Sequence, residues 1–192
     1  MKLKSSLYIF IMVALITQLC LAGTIKGKVS PAKSSVVYLE PGAGAAAPAP
    51  DKHVTMDQKG LLFQPHVLVV QQGTTVEFLN SDKVAHNVFW PSISGDKKKG
   101  HNLGTWPQGE RKPFRFDQPG VVSLLCNVHP EMSGFIVVSP TPYFAETDAD
   151  GAFTIANVPD GEYTITAWHE GKKPQTKKIT VSGNTTADFT LQ

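Results

Sequence analysis

Residues 117–132 read DQPGVVSLLCNVHPEM. Pro119 and Gly120 turn the chain into the apolar, β-branched run Val121–Leu125, which reads as a buried strand. The run ends on Cys126, and His129 and Met132 follow in a Cys-x2-His-x2-Met spacing. A short loop after the strand returns the chain, so that the cysteine, the histidine and the methionine face one point. Upstream, residues 77–90 read EFLNSDKVAHNVFW: a strand, a polar turn, then His86 opening the next strand. His86, Cys126, His129 and Met132 together make two imidazoles, one thiolate and one thioether. That is the ligand set of a trigonal copper site with a weak axial sulfur. A structural cysteine behaving as a small hydrophobe is the plainer alternative, and a zinc site is another, although zinc rarely accepts a thioether.

The first residues supply the compartment. MKLK, the apolar stretch Ser6–Leu19 and the small-residue exit near Ala22 have the three regions of a secretory leader, expected over residues 1–23. An uncleaved anchor is the alternative; with cleavage, the mature chain has no transmembrane span. The chain holds 18 basic and 16 acidic residues, so losing Lys2 and Lys4 leaves it formally neutral. No excess of basic charge then remains for nucleic acid, which is not an expected partner. Of its two cysteines, Cys20 leaves with the leader. Cys126 is therefore alone in an oxidising compartment, where metal coordination would keep its thiolate occupied.

The rest of the chain reads as all-β, with short β-branched or aromatic runs separated by Gly, Pro, Asn and Asp and no stretch of helical period. Strands are expected at 24–29, 35–39, 67–70, 74–79, 87–90, 113–116, 121–126 and 135–138. A second group is expected at 143–146, 152–155, 162–168, 176–181 and 185–191. Residues 41–52 are rich in Pro, Gly and Ala and read as a linker. Ser92–Trp106 reads as a polar surface loop in place of regular strands. Asp148-Ala149-Asp150-Gly151 imitates the start of a calcium loop but lacks the later acidic positions, so a hairpin turn is expected. His53, His66, His101 and His169 read as structural or exposed side chains.

The segments FQPHVLVVQQGTTVEFLNSDKVAHNV (63–88), DQPGVVSLLCNVHPEM and SGFIVV (133–138) resemble the cupredoxins, the blue copper family. The ligand spacing is most similar to amicyanin. The resemblance implies a Greek-key β-sandwich over 53–139, with one copper ion near its end held by His86, Cys126, His129 and Met132. It implies that Asn87 braces the ligand loop, that His129 is the exposed electron port and that His86 is buried. Pro130 restricts His129 to extended backbone. The chain departs from relatives that carry aromatics before the cysteine, and its basic loop at Lys97–Lys99 is longer. That loop is a candidate for steering an acidic partner.

Residues 141–192, around TDADGAFTIANVPDGEYTITAWHEG, resemble the carboxypeptidase regulatory-like, transthyretin-related β-sandwich. The first strands expected of such a module stand far upstream, in residues 24–40. The copper domain is therefore expected as an insertion in the smaller sandwich, with a plain tandem as the alternative.

Four protein ligands leave no open position for a substrate, and the chain has no His-x-His pair of the kind that marks further copper centres. The expected function is an exported one-electron carrier between two redox proteins, a donor and an acceptor, and not an enzyme. A copper-trafficking or sensing protein, or a surface binding module with structural copper, remain the alternatives.

Overall fold

The computed structural model describes residues 22–40, 48, 50, 51 and 53–192. The expected leader, up to residue 21, and most of the expected linker lie outside the described residues. The elements are almost all strands. Two come first: β1 (Ala22–Ser30) and β2 (Val36–Glu40). Nine follow: β3 (His53–Gln58), β4 (Phe63–Gln64), β5 (Val67–Gln71), β6 (Thr75–Asn80), β7 (His86–Trp90), β8 (His101–Trp106), β9 (Arg111–Arg115), β10 (Gly120–Leu125) and β11 (Ser133–Ser139). The last six are β12 (Phe144–Glu146), β13 (Ala152–Pro159), β14 (Gly161–Trp168), β15 (Gln175–Val181), β16 (Asn184–Thr186) and β17 (Phe189–Thr190).

β3 to β11 build two facing sheets, ordered β5-β11-β10-β7-β8 and β4-β3-β6-β9. Between them lies a core that includes Met56, Phe78, Val88, Trp90, Phe116, Leu124 and Ile136. The remaining strands build a second pair of sheets. In one, β1 pairs with β13, β16 and β17; in the other the order is β12-β2-β14-β15. Ile25, Leu39, Ile155, Ile165 and Phe189 lie in the core between these two.

A third apolar cluster joins the pairs. Val36, Tyr38 and Trp168 pack against Val67, Val69, Val121, Phe135 and Val137. Strand alternation explains how one segment serves two cores. In β11, Ile136 and Val138 point into the first core, while Phe135 and Val137 point into the seam. In β2, Val37 and Leu39 face the second core and Val36 and Tyr38 the seam. The continuous apolar run Phe135–Val138 is what a strand covered on both faces requires. The molecule is thus a stack of four sheets. At its edge His66 Nε2 meets Glu170 Oε2 at 2.6 Å, and the rings of Phe135 and Trp168 lie 5.3 Å apart.

Three expectations are corrected. The polar loop expected over Ser92–Trp106 contains a 3₁₀ turn at Lys97–Lys99 and the regular strand β8, antiparallel to β7. Gly104, at φ +80°, accompanies a register shift between Val88 and Phe89 that interrupts the alternation a sequence reading relies on. β3 and β4 were not expected; the inward Gln58 of β3 spoils its apolar pattern. The final strand is two short ones, divided at Ala187 and Asp188, where Ala187 N–H donates to Lys26 O and Lys28 N–H to Asp188 Oδ1.

Candidate metal centre

The sheet order places β10 beside β7, and the two run antiparallel. The start of β7 therefore lies next to the end of β10, which brings His86 to Cys126. Leu125 pairs with Ser133 across β10 and β11. All of CNVHPEM is consequently one loop whose two ends the ladder pins together. Within it, Met132 N–H donates to His129 O at 3.0 Å, closing a turn with Pro130 at its second position, where the fixed φ of proline is favourable.

His86, Cys126 and His129 each offer one ligand atom, and these atoms lie within 4.8 Å of one another. The two imidazoles face each other, with Nδ1 to Nδ1 at 3.0 Å and ring centroids 4.7 Å apart. His86 and Met132 are fully buried, Cys126 is 3% exposed and His129 is half-buried. Met132 belongs to the same core cluster as Cys126. Thiolate, two imidazoles and a buried thioether at one end of a sandwich are soft and intermediate donors suited to copper.

Asn87 connects this group to its surroundings. Its backbone N–H points at Cys126 Sγ at 3.4 Å, and its Oδ1 accepts from Asn127 N–H at 3.2 Å. Its Nδ2 donates to Asn102 Oδ1 at 2.9 Å and to Gly104 O at 2.8 Å. The ligand loop is thereby tied to β7 and β8. Hydrogen bonds to the sulfur and around it limit how the Cys126 side chain can move.

Two residues at the site went unrecognised in the sequence. Asn80 caps the turn before His86: its Oδ1 accepts from Asp82 N–H, while its Nδ2 donates to Val84 O and Trp106 O. Asp82 Oδ2 lies 2.9 Å from His86 Nε2. Burial alone pushes the Asp82 carboxyl up, but the N–H groups of Leu61 and Gly60, with His86, together hold it below the usual range. An acid in a polar turn carried no signal beyond turn chemistry.

The Lys97–Lys99 turn sits past the far end of β7 from His86, and nearby Ile93 bridges to Val122 near the start of β10. At about 3.3 Å per strand residue, it stands about 15 Å or more from the site. Its lysines do not border the ligand loop.

Residues 50–139 match the family model of copper binding proteins of the plastocyanin/azurin family. The chain carries a plastocyanin/azurin-family copper-binding domain. Copper is the metal of that family, and in this cupredoxin domain the His86, Cys126 and His129 group is where it could be held. Residues 135–192 match the carboxypeptidase regulatory-like domain. Similar solved structures include a reduced amicyanin mutant, 23% identical, covering 54% of this chain and 98% of that one, with a TM-score of 0.43. An oxidised amicyanin mutant is 23% identical, covering 57% and 95%, also at 0.43. A copper-containing nitrite reductase from Thermus scotoductus is 30% identical, covering 52% of this chain and 25% of that one, at 0.42.

Proposed function

We propose that the chain is an exported one-electron carrier in which His86, Cys126, His129 and Met132 hold one copper ion. The observation that carries this reading is the convergence of one nitrogen from each of His86 and His129 and the Cys126 sulfur within 4.8 Å, with Cys126 and His129 on a loop pinned at both ends. Copper in such a set supplies a one-electron couple. Cys126 would provide the thiolate, His86 and His129 the imidazole nitrogens and Met132 the thioether sulfur. The ladder, the Pro130 turn and the Asn87 bonds hold these donors in one geometry, which suits both oxidation states and limits rearrangement on transfer. With four side chains as ligands, no position is left for a substrate, so the proposal is a carrier and not an enzyme.

Surface chemistry supports a protein partner at this end. The exposed large hydrophobic residues among the described residues are Leu61, Leu62, Val84 and Val128, between 40% and 53% exposed. All flank the ligands: Val128 precedes His129, Val84 stands in the turn before His86, and Leu61 bonds Asp82. Scattered apolar residues are ordinary, but these stand in the ligand loop, in the turn before His86 and at the tip bonded to Asp82, which suits a docking face for a redox donor or acceptor. Among the described residues no helix is long and apolar enough to cross a membrane. We further propose that residues 53–139 are an insertion in a sandwich assembled from 24–40 and 141–192. The pairing of β2 with β12 and β14 supports that division.

The test is the visible spectrum of the Cu(II)-loaded protein beside Cys126→Ala. The expected result is an intense blue band, absent in the variant and bleached reversibly by a one-electron reductant. A colourless protein, or bound copper indifferent to Cys126, would overturn the reading. Rapid loss of the metal to a chelator would favour copper trafficking instead.

A further inference from the structure

We propose that Asp82 is a positioning residue of this metal centre: its carboxylate fixes the His86 ring with Nδ1 toward the metal and lowers the reduction potential of bound copper. The inference rests on the copper-carrier reading.

His86 is fully buried, so water does not compete for its nitrogens. With Asp82 Oδ2 at 2.9 Å, Nε2 is the nitrogen that carries the proton, and Nδ1 presents its lone pair toward His129 Nδ1 at 3.0 Å. Such a carboxylate–imidazole pair selects the tautomer and makes the ring a stronger donor. A neutral carbonyl would do the first but less of the second. A negative charge set against a ligand, away from bulk solvent, favours the more positively charged metal state.

The carboxylate is itself held by an arrangement that makes little sense otherwise. Gly60 N–H donates to Asp82 Oδ1 at 2.7 Å and Leu61 N–H to Asp82 Oδ2 at 2.9 Å. Both donors sit at the tip between β3 and β4, where Lys59 N–H donates to Leu62 O. Gly60 is at φ +67° and Leu61 at φ +60°. Two successive left-handed residues define a tight hairpin turn whose corners favour Gly or Asn. Glycine meets that demand at position 60. Leucine at 61 disfavours it, because its Cβ crowds the following carbonyl oxygen, and the half-exposed side chain recovers little by burial. What the tip secures is a pair of N–H groups aimed at one carboxylate, 21 and 22 residues along the chain. The Asp82 side chain keeps only 17% exposure. The same tip carries two of the four apolar residues of the docking face, so the partner-facing surface and the ligand share this acid.

The experiment compares reduction potentials of copper-loaded wild type, Asp82→Asn and Glu131→Gln. Asp82→Asn removes the charge at constant shape. It is expected to shift the Cu(II)/Cu(I) equilibrium about tenfold toward Cu(I), a rise of about 59 mV for one electron. Glu131 is an exposed carboxylate in the ligand loop, one residue before Met132. Its loss is expected to shift the equilibrium less than about twofold, because water screens an exposed charge. Equal shifts in the two variants, or none in Asp82→Asn, would overturn the proposal while a blue wild type left the carrier reading standing. A colourless wild type would overturn the carrier reading, and the claim about potential with it. Nitrogen NMR of the metal-free wild type decides the positioning without copper and without a variant. The expected species has His86 protonated at Nε2, with that proton protected from exchange; a proton on Nδ1 instead would overturn it.

Discussion

The two sheets of the cupredoxin domain treat their outer faces in opposite ways. The sheet β4-β3-β6-β9 turns His53, Glu77, Arg111 and Arg115 outward, and the first three of these pair with one another. The sheet β5-β11-β10-β7-β8 turns Val67, Val69, Val121, Phe135 and Val137 outward, and the second sandwich covers them. Both faces belong to strands of similar length and the same alternation. The difference lies in what each meets, water in one case and another sheet in the other. The candidate ligands stand on the covered sheet: His86 starts β7, Cys126 follows β10, and Met132 precedes β11. The covering therefore backs the sheet that carries the candidate metal centre, and it leaves His129 half-buried.

The strongest way to break this contrast is to uncover the covered face. Trp168 is 6% exposed and packs against Phe135 from the small sandwich. Trp168→Ala should remove about 3 kcal/mol, the lower part of the range for buried tryptophan, since the seam can partly close. Calorimetry of the copper-loaded variant should show two transitions where wild type shows one, with the blue absorbance lost only in the later. A single transition moved by less than about 1 kcal/mol would mean that the seam contributes little coupling.

A smaller effect is expected inside the covered sheet. Asn87→Ala removes the side-chain bonds to Asn127, Asn102 and Gly104, but it leaves the backbone N–H on Cys126 Sγ. Unsatisfied groups of this kind lower stability by about 2 kcal/mol in total, since Asn127 and Asn102 lie near solvent and can be rehydrated. Urea unfolding of the copper-loaded protein measures this, and a broadened blue band should accompany it as the ligand loop gains freedom. An unchanged band would place the rigidity of the loop in the Leu125–Ser133 ladder and the Pro130 turn alone.

The legibility of the sequence follows the same contrast. Runs such as Val121–Leu125 and Phe135–Val138 announce strands because both faces are apolar, and three of the four candidate donors, Cys126, His129 and Met132, stand in a short, ordered spacing. β3 is less legible: Met56 faces inward, but so does Gln58, so the alternation fails where a polar side chain turns into the core. β8 is hidden by Gly104 and the register shift opposite it. Asp82 is hidden for a different reason. Its partners His86, Gly60 and Leu61 come from two separated turns, and nothing local marks an acid in a turn as a support for an imidazole.

The open face sharpens the comparison through pH. Glu77 Oε1 lies 3.4 Å from His53 Nδ1, and Arg111 Nη1 donates to Glu77 Oε2 at 3.0 Å. His53 first, and then Arg111, hold the Glu77 carboxyl below its ordinary range. A carboxyl whose pKa is lower when folded binds fewer protons in the native state than in the unfolded one. Its contribution to stability is present above the unfolded carboxyl range, and it disappears as pH falls through the folded value. Glu77→Gln should therefore lower the melting temperature slightly at neutral pH, and the two curves should converge below the carboxyl range. The shift should be the smallest of the three, and salt should reduce it further, because these side chains stand in water where ion pairs are weak. A melting difference that persists unchanged into acid would show that Glu77 acts on β6 and β9 through packing and not through its charge.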